Sequence, residues 1–253
     1  MFLQTPKRHF DEDLARAREL LAHARSLAPG VLQDDVLRAA WMMAVGASDA
    51  YFSDAYGDLL ARTLRAKQLE PAVAIPDRLN NLKVPVIAIL RDANSGWRWR
   101  MAARELIEEE NVLSLEKVKK LFNHFFRDGH KILNTDTIAN FITHRDAKSR
   151  TFGITGTRYR RLTTSADQNR AKKAAVGHMQ DHFEEIFQRR HDCIHNCDRP
   201  KIALQGISPE HAGKAIEDIH FLVARCNEAF LAEFPVYLTT LGFGAVTRNR
   251  VLQ

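Results

Sequence analysis

Near the end of a long run of helical periodicity, residues 189–200 read Arg189-Arg190-His191-Asp192-Cys193-Ile194-His195-Asn196-Cys197-Asp198-Arg199-Pro200. Apolar residues with the spacing of one helix face lie before and within this stretch. They are Phe183, Ile186, Phe187 and Ile194. The stretch therefore predicts a helix that packs one side against another helix and carries two arginines and two histidines at its end. We take this helix end as the candidate functional site.

The spacing of the charged residues limits how they can act together. His191 and His195 are four residues apart, so a regular helix places them on one face. Arg190 and His195 are five apart, which is about 140° around the helix axis. To act together they need either a distorted last turn or a second copy of the helix across a symmetry axis. Pro200 cannot continue a helix and restricts Arg199, which puts His195 in the last turn or two.

The composition is that of an ordinary globular protein. The chain has 253 residues, of which 45% are hydrophobic and 27% charged, enough for one large or two modest domains. Its net charge of +6 permits an anionic partner such as a nucleic acid. No apolar run approaches the about 18 residues of a membrane span, and residues 1–8 lack the apolar core of a signal peptide. We therefore expect a cytoplasmic protein that neither spans nor binds a membrane.

Helical spacing recurs along the whole chain and predicts an all-α protein. Helices are predicted over 11–28, 33–67, 97–110 and 132–142, from an N-cap at Ser114, from Thr164 or Ser165 to the candidate site, and from Pro209 to Pro235. Small residues at the centre of the second helix would let other helices approach closely, so we expect that helix to be buried on more than one side. The tail after Pro235 has no clear assignment.

The densest basic segment precedes the helix of the candidate site. It contains Arg145, Lys148, Arg150, Arg158, Arg160 and Arg161, and it is interrupted by Gly153 and Gly156. One interpretation is a solvated, mobile loop. The other is that Arg158, Arg160 and Arg161 contact a phosphate backbone.

In its residues, the chain resembles the HEPN superfamily and, within it, the RiboL-PSP-HEPN branch. The family signature is an arginine, a polar residue, a few further residues and a histidine at the end of a helix in an all-α bundle, and Arg190-His191-Asp192-Cys193-Ile194-His195 follows it. Residues 37–51 are similar to the family's first core helix. The resemblance covers about 31–67 and 164–232. It implies a single HEPN-like helical domain over 1–253 with a helical insertion at about 68–163.

The resemblance implies a metal-independent endoribonuclease that needs no cofactor and works as a homodimer with both Arg-His pairs facing one cleft. Its partner would be RNA, cleaved by attack of the 2′-hydroxyl to give 2′,3′-cyclic phosphate and 5′-hydroxyl ends. In this role Arg190 would stabilise the scissile phosphate, and His195 would carry the acid-base work. His191 would orient the substrate, with Asn196 as a hydrogen-bonding residue. Asp49 would be a supporting residue, with Arg190 as a candidate partner.

The family includes toxins, RNA-processing factors and phage-defence proteins, and also inactive members that bind nucleotides or partners. A toxin or phage-defence setting would add an antitoxin or a defence-system protein as a partner. The alternative function is therefore a non-catalytic binding module that acts through a partner protein or nucleotide, with residues 68–163 as the contact surface.

Two other interpretations of the motif remain open. In the first, Arg190 is structural and pairs with Glu184 or Asp192, while the histidine caps the helix. In the second, the alternating His191, Cys193, His195 and Cys197 bind a metal ion. On a helix, however, Cys193 points about 200° away from His191, so only half of the four could meet one ion.

Overall fold

The fold was obtained as a computed structural model, which describes residues 2–80, 99, 114–199 and 203–253. Its helices are α1 (Gln4–Ser26), α2 (Val31–Leu69), α3 (Asp77–Asn80), α4 (Leu115–Phe122), α5 (Ile138–Ile142), α6 (Ser149–Phe152), α7 (Gly156–Arg160), α8 (Ser165–Asn196), α9 (Pro209–Thr240) and α10 (Ala245–Leu252). These residues contain no strand, so the all-α prediction is confirmed. The helix predicted over 97–110 lies outside the described residues.

The central element is α2, against which α1, α8, α9 and α10 all pack. Every side chain from Ala55 to Ala61 is buried, so this part of α2 is covered on all sides. α1 lies antiparallel to it, since the Leu3 N–H donates to Asp58 (3.0 Å) and Phe10 contacts Tyr51. The small residues at its centre include Ala44, Ala47 and Ser48, all buried. The expectation of burial on more than one side is confirmed.

The two other long helices, α8 and α9, run antiparallel to each other. His182 of α8 meets Asp218 of α9 (2.9 Å), whereas Arg189, about two turns later, meets the carbonyl of Gly206 just before α9 (3.1 Å). Thr164 caps α8, and Ser208 caps α9, whose first residue is a proline. Both starts agree with the sequence analysis, which predicted Thr164 or Ser165 as the cap of α8 and Pro209 as the first residue of α9.

The described part of the predicted insertion shares its core with the long helices. Ser114 caps α4 by accepting the Lys117 N–H (3.1 Å), as predicted. Phe122 of α4 stacks on Phe230 of α9 with 4.3 Å between ring centroids. Phe122 also contacts Phe52 of α2. Residues 114–163 therefore contribute side chains to the same hydrophobic cluster as α1, α2, α8 and α9.

The predicted helix over 132–142 is shorter than expected, because only Ile138–Ile142 is helical. The side-chain amide of Asn123 bonds both the N–H (2.9 Å) and the carbonyl (3.2 Å) of Ile132. Leu133 then adopts a left-handed conformation with φ 55°. Asn123 thus takes the backbone N–H and carbonyl of Ile132 that a helix would use, and the residues between Ile132 and Ile138 form turns instead of a helix.

The basic segment at 145–161 contains two short helices, α6 and α7. Gly153 ends α6 with φ +68°. Gly156 begins α7 in a close approach, since a Cβ there would lie 2.8 Å from the carbonyl oxygen of Ile142. Arg150 binds both carboxylate oxygens of Asp218 at 2.8 and 2.9 Å. These contacts fasten the segment to α5 and α9.

α9 does not end at Pro235 as predicted but continues to Thr240. A proline removes one intrahelical hydrogen bond, here to the carbonyl of Leu231, and Leu231 is partly exposed, so water can take that place. Burial of Phe234 and Leu238 on either side of the proline stabilises the continued helix. The tail then forms α10 against α2. Among the described helices, none is both long and apolar enough to cross a membrane.

Candidate active site at the end of α8

α8 remains a regular helix through Asn196 and then reverses sharply. Cys197 and Asp198 are both left-handed, with φ 48° and 59°. Their two N–H groups donate to the carbonyl of Asp192, which closes the helix end. His195 therefore lies in the last turn, as predicted.

The reversal buries the carboxylate of Asp198 between two arginines. Its Oδ2 accepts hydrogen bonds from Arg38 Nε (2.7 Å) and from Arg189 Nη2 (2.9 Å), and Asp198 has 0% exposure. The Arg189 guanidinium also lies over the ring of Trp41, 5.2 Å from its centroid. We call Arg38, Arg189 and Asp198 the Asp198 cluster. It fixes the end of α8 to α2.

Gln205, in the loop between α8 and α9, completes the support of this helix end. Its N–H donates to the Asp198 carbonyl (2.9 Å), and its own carbonyl accepts from Arg38 (2.9 Å). Its side-chain amide reaches Asp192 (3.3 Å), which also accepts from Gln188 (2.9 Å). The buried Asp192 carboxylate is thus held by structural hydrogen bonds.

Two histidines project from this anchored end. The ring centroids of His191 and His195 are 4.4 Å apart with 43° between the planes, and both residues are exposed. The four-residue spacing predicted this shared face. Asn196 is also exposed, and its amide makes a long contact of 3.5 Å to Asp192. The structure therefore brings together His191, His195 and Asn196.

Arg190 is half-buried and makes no hydrogen bond or ion pair with any residue in the described parts of the chain. The pairing with Glu184 or Asp192 that a structural role would require is not formed. That role belongs to its neighbour Arg189. Because α8 is regular here, the separation of about 140° between Arg190 and His195 persists. Of the two arrangements left open by the sequence, the distorted last turn is not found.

Cys193 is not suited to act as a nucleophile. Burial, together with the negative charge of Asp198, raises the pKa of its thiol to about 11. The thiol is therefore protonated at neutral pH, whereas the thiolate is the reactive and metal-binding form. Cys193, Cys197 and Cys226 are all free cysteines. Within the described ranges, no group of three or more His, Cys, Asp or Glu side chains could hold a metal ion.

A cavity of about 440 Å³ lies beside His191, between α4 and α8. Its wall includes three carboxylates, Glu116, Asp181 and Glu184. Their combined negative charge disfavours a phosphate in this cavity.

Asp49 does not lie at this helix end. It is half-buried in α2, eight residues after Trp41, which is about 12 Å along the helix axis. The Trp41 indole N–H donates to the carbonyl of Ile186 (3.0 Å), and α2 and α8 are antiparallel. Asp49 is therefore displaced towards the middle of α8, away from His195.

The predicted RNA-binding arginines lie at the opposite end of α8. Arg158, Arg160 and Arg161 are all exposed, in α7 or directly after it. Arg158 borders the same cavity as Ala171 of α8, which precedes His195 by 24 residues. At a rise of about 1.5 Å per residue, the two places are about 36 Å apart.

Sequence reasoning missed the Asp198 cluster. The available signal was Arg38, a charged residue within the otherwise apolar stripe of Leu37, Ala40 and Trp41. A buried arginine requires a partner. The partner is 160 residues away in the chain, and no spacing rule connects the two.

The chain was compared with models of known protein families, with curated proteins and with solved structures, and no match was found. The HEPN resemblance therefore depends on residues of this chain alone, namely the motif at 190–195 and the two segments, about 31–67 and 164–232, in which the similarity was noted.

Proposed function

We propose that this protein is a metal-independent endoribonuclease that acts as a homodimer and cleaves RNA to 2′,3′-cyclic phosphate and 5′-hydroxyl ends. The observation that carries the proposal is the exposed imidazole pair of His191 and His195, 4.4 Å apart, on a helix end that the Asp198 cluster fixes in place. Imidazole exchanges protons near neutral pH, and the Asp198 cluster keeps in position the helix end that carries the two rings.

The reaction needs one base and one acid. His195 takes the proton from the ribose 2′-hydroxyl, and the oxygen attacks the adjacent phosphorus as the bond to the 5′-oxygen breaks. A second histidine returns a proton to that leaving oxygen. It is either His191 of the same chain or His195 of a second copy.

Arg190 supplies the remaining requirement, which is charge stabilisation. The pentacoordinate phosphorus carries more negative charge than the ground state, and a guanidinium fork can bind two of its oxygens at once. Since Arg190 pairs with no other described residue, its charge is available to substrate. Arg189 could not take this role without giving up Asp198.

Exposed apolar side chains around the candidate site support a homodimer. Ile194 is 47% exposed and Leu204 42%, while Val31 and Leu32 at the start of α2 are 74% and 67% exposed. Ile194 and Leu204 flank the loop that holds Asp198, and Leu32 is less than two helical turns from Arg38. A second copy packed on these side chains would cover them and bring its Arg190 towards the first copy's His195.

The carboxylate-lined cavity beside His191 favours a second candidate, a non-catalytic module that binds a partner protein. Glu116, Asp181 and Glu184 would suit a basic segment of such a partner better than RNA. Part of this wall, Ser114 to Glu116, belongs to the segment at 68–163. In a toxin or phage-defence setting, the same cavity could receive a restraining antitoxin on the active enzyme.

The decisive experiment is cleavage of a mixed single-stranded RNA in EDTA, with chemical typing of the product ends. The wild type is compared with Arg190→Ala and His195→Ala, and with His9→Ala and Arg250→Ala as exposed controls. We expect cyclic phosphate ends from the wild type and both controls, and a loss of about 10²- to 10⁴-fold in the two site variants. No cleavage by any folded variant would favour the binding module.

A further inference from the structure

A second cavity, of about 470 Å³, lies where α6 and α7 meet the first half of α8, far from His195. Its volume falls in the range of about 300–1,000 Å³ that small-ligand sites occupy. Its apolar surface is formed by Phe152, Ile154, Leu162 and Ala171. Phe152 is itself buried, so this surface offers the flat face of a nucleobase apolar contact with aliphatic side chains rather than ring stacking.

Two arginines stand at the edge of this apolar surface. Arg158 is exposed, and its side chain forms no ion pair or hydrogen bond within the described parts of the chain. Arg170 is 82% exposed and has only a long contact, 3.8 Å, to Asp167. Both guanidinium groups can therefore bind a phosphate.

The one carboxylate in the cavity wall is already engaged. Asp167 Oδ2 accepts the hydroxyl of Thr164 (2.7 Å), and the Asp167 N–H donates back to that hydroxyl oxygen (3.1 Å). This reciprocal cap satisfies Asp167 at the start of α8. The net charge at the cavity edge is positive, and Arg161 next to it adds to this.

The cavity wall is held in place by contacts to α9. His178 of α8 bonds the carbonyl of Arg150 (3.1 Å), and Arg150 binds Asp218 through two hydrogen bonds. Gly153 has no side chain where the His178 ring lies, since a Cβ there would be 3.3 Å from that ring. A ligand would enter a preformed site, which lowers the entropic cost of binding.

We propose that this cavity binds one nucleotide of a single-stranded RNA, with the base on the apolar surface and a phosphate between Arg158 and Arg170. The identity of the ligand rests on the proposed ribonuclease function. The path along α8 from Ala171 to His195 is about 36 Å. At about 3.4 Å per stacked nucleotide, the bound nucleotide lies about ten nucleotides from the scissile bond. The cavity therefore makes the enzyme prefer RNA strands longer than about ten nucleotides.

Binding is tested in the His195→Ala background, so that the RNA stays intact. Anisotropy of a labelled RNA of about 20 nucleotides is measured for Arg158→Glu/Arg170→Glu and for Arg250→Glu, which reverses a charge on α10. We expect the affinity to fall about tenfold or more in the cavity variant and to remain unchanged in the control. Ala174→Trp, which fills the cavity from its exposed side, should give the same loss.

Cleavage separates this proposal from the proposed function. In the otherwise wild-type chain, Arg158→Glu/Arg170→Glu should lower kcat/KM for the RNA of about 20 nucleotides and leave that of an RNA of about five unchanged. Equal affinities of the cavity variants and the control for the long RNA overturn the cavity proposal, whether or not the wild type cleaves. If the wild type does not cleave RNA but the cavity variants still lose affinity for it, only the proposed nuclease function is overturned.

Discussion

Arg189 and Arg190 are neighbours in the sequence but have different surroundings. Arg189 is 7% exposed and paired to the buried Asp198, whereas Arg190 is half-buried and unpaired among the described residues. Removing one member of a buried ion pair leaves the other charge poorly compensated. The first arginine is therefore expected to matter for stability and the second for activity.

We expect Arg189→Ala to lower the free energy of unfolding by about 3 kcal/mol, because Asp198 keeps only Arg38 as a charged partner. Arg190→Ala should change it by about 0.5 kcal/mol or less. Urea unfolding followed by circular dichroism measures both. Equal destabilisation by the two substitutions would contradict the assignment of the structural role to Arg189.

The chemistry of Arg190 gives a second prediction at this scale. Arg190→Lys keeps the positive charge but loses the bidentate fork, so its kcat should lie between those of the wild type and Arg190→Ala. Arg190→Ala should lose about 10²-fold or more in kcat, with a smaller change in KM. Single-turnover cleavage of RNA measures the difference. Full activity in Arg190→Lys would mean that charge alone is required.

At the scale of elements, Gly156 determines how α7 packs against α5. A Cβ at Gly156 would lie 2.8 Å from the Ile142 carbonyl oxygen and 3.2 Å from the Cα of Thr143, both backbone atoms that cannot move freely. Gly177 in α8 has nothing within 4 Å of the same position. The two glycines thus form a matched pair.

Gly156→Ala should destabilise the protein by about 1–3 kcal/mol, because the backbone must shift to relieve the overlap. Gly177→Ala should stabilise it by about 0.5–1 kcal/mol, since alanine is the better helix former. Thermal unfolding of both variants tests the pair. If Gly156→Ala also weakens binding of RNA at the cavity bordered by Arg158 and Arg170, α7 is confirmed as the element that positions Arg158.

At the scale of the whole molecule, the assembly is tested by mixing inactive variants. Arg190→Ala and His195→Ala are each expected to be inactive. If each active site takes Arg190 from one copy and His195 from the other, a mixed dimer contains one intact site. Random mixing then restores about one quarter of the wild-type rate, because half of the dimers are mixed and each has one site of two. No recovery in confirmed mixed dimers would mean that both residues of a site lie on one chain or that each site needs His195 of both copies, and mixed dimers of wild type with His195→Ala separate the two, since only the second case leaves them inactive.

The stability of the whole fold should decrease in mild acid. Burial lowers the pKa of His220 below its ordinary value of 6.5, and the charges of Arg18 and Lys7 lower it further. Between the lowered pKa and 6.5, the unfolded chain binds a proton that the folded chain does not. The free energy of unfolding is therefore highest, as far as His220 is concerned, above pH 6.5. It decreases as the pH falls from 6.5 through the lowered pKa, because protons bind preferentially to the unfolded chain.

Urea unfolding at about pH 7.5 and about pH 5 measures this dependence. His220→Gln should reduce the difference between the two conditions, whereas substitution of the exposed His9 by glutamine serves as the control. An unchanged difference in His220→Gln would show that other groups cause the acid sensitivity.

Local signals in the sequence predicted most of the helical framework. Ser114, Thr164 and Ser208 cap helices that begin where expected, because a cap acts through the next three residues alone. The prediction that α9 ends at Pro235 was wrong, because contacts distant in the sequence decided the outcome there. The local effect of the proline ends a helix, but the burial of Phe234 and Leu238 on either side outweighs one missing hydrogen bond.

The sequence by itself determined that this chain is helical, that α8 ends shortly after His195, and that His191 and His195 share a face. Each follows from interactions between residues a few positions apart. Only the tertiary structure decided that Arg189 and not Arg190 is buried, that Asp198 turns inward to meet Arg38, and that Asp49 and Arg158 lie away from His195. These outcomes depend on contacts between segments distant in the chain, where burial of a charge is favourable only if a partner from another helix arrives to compensate it.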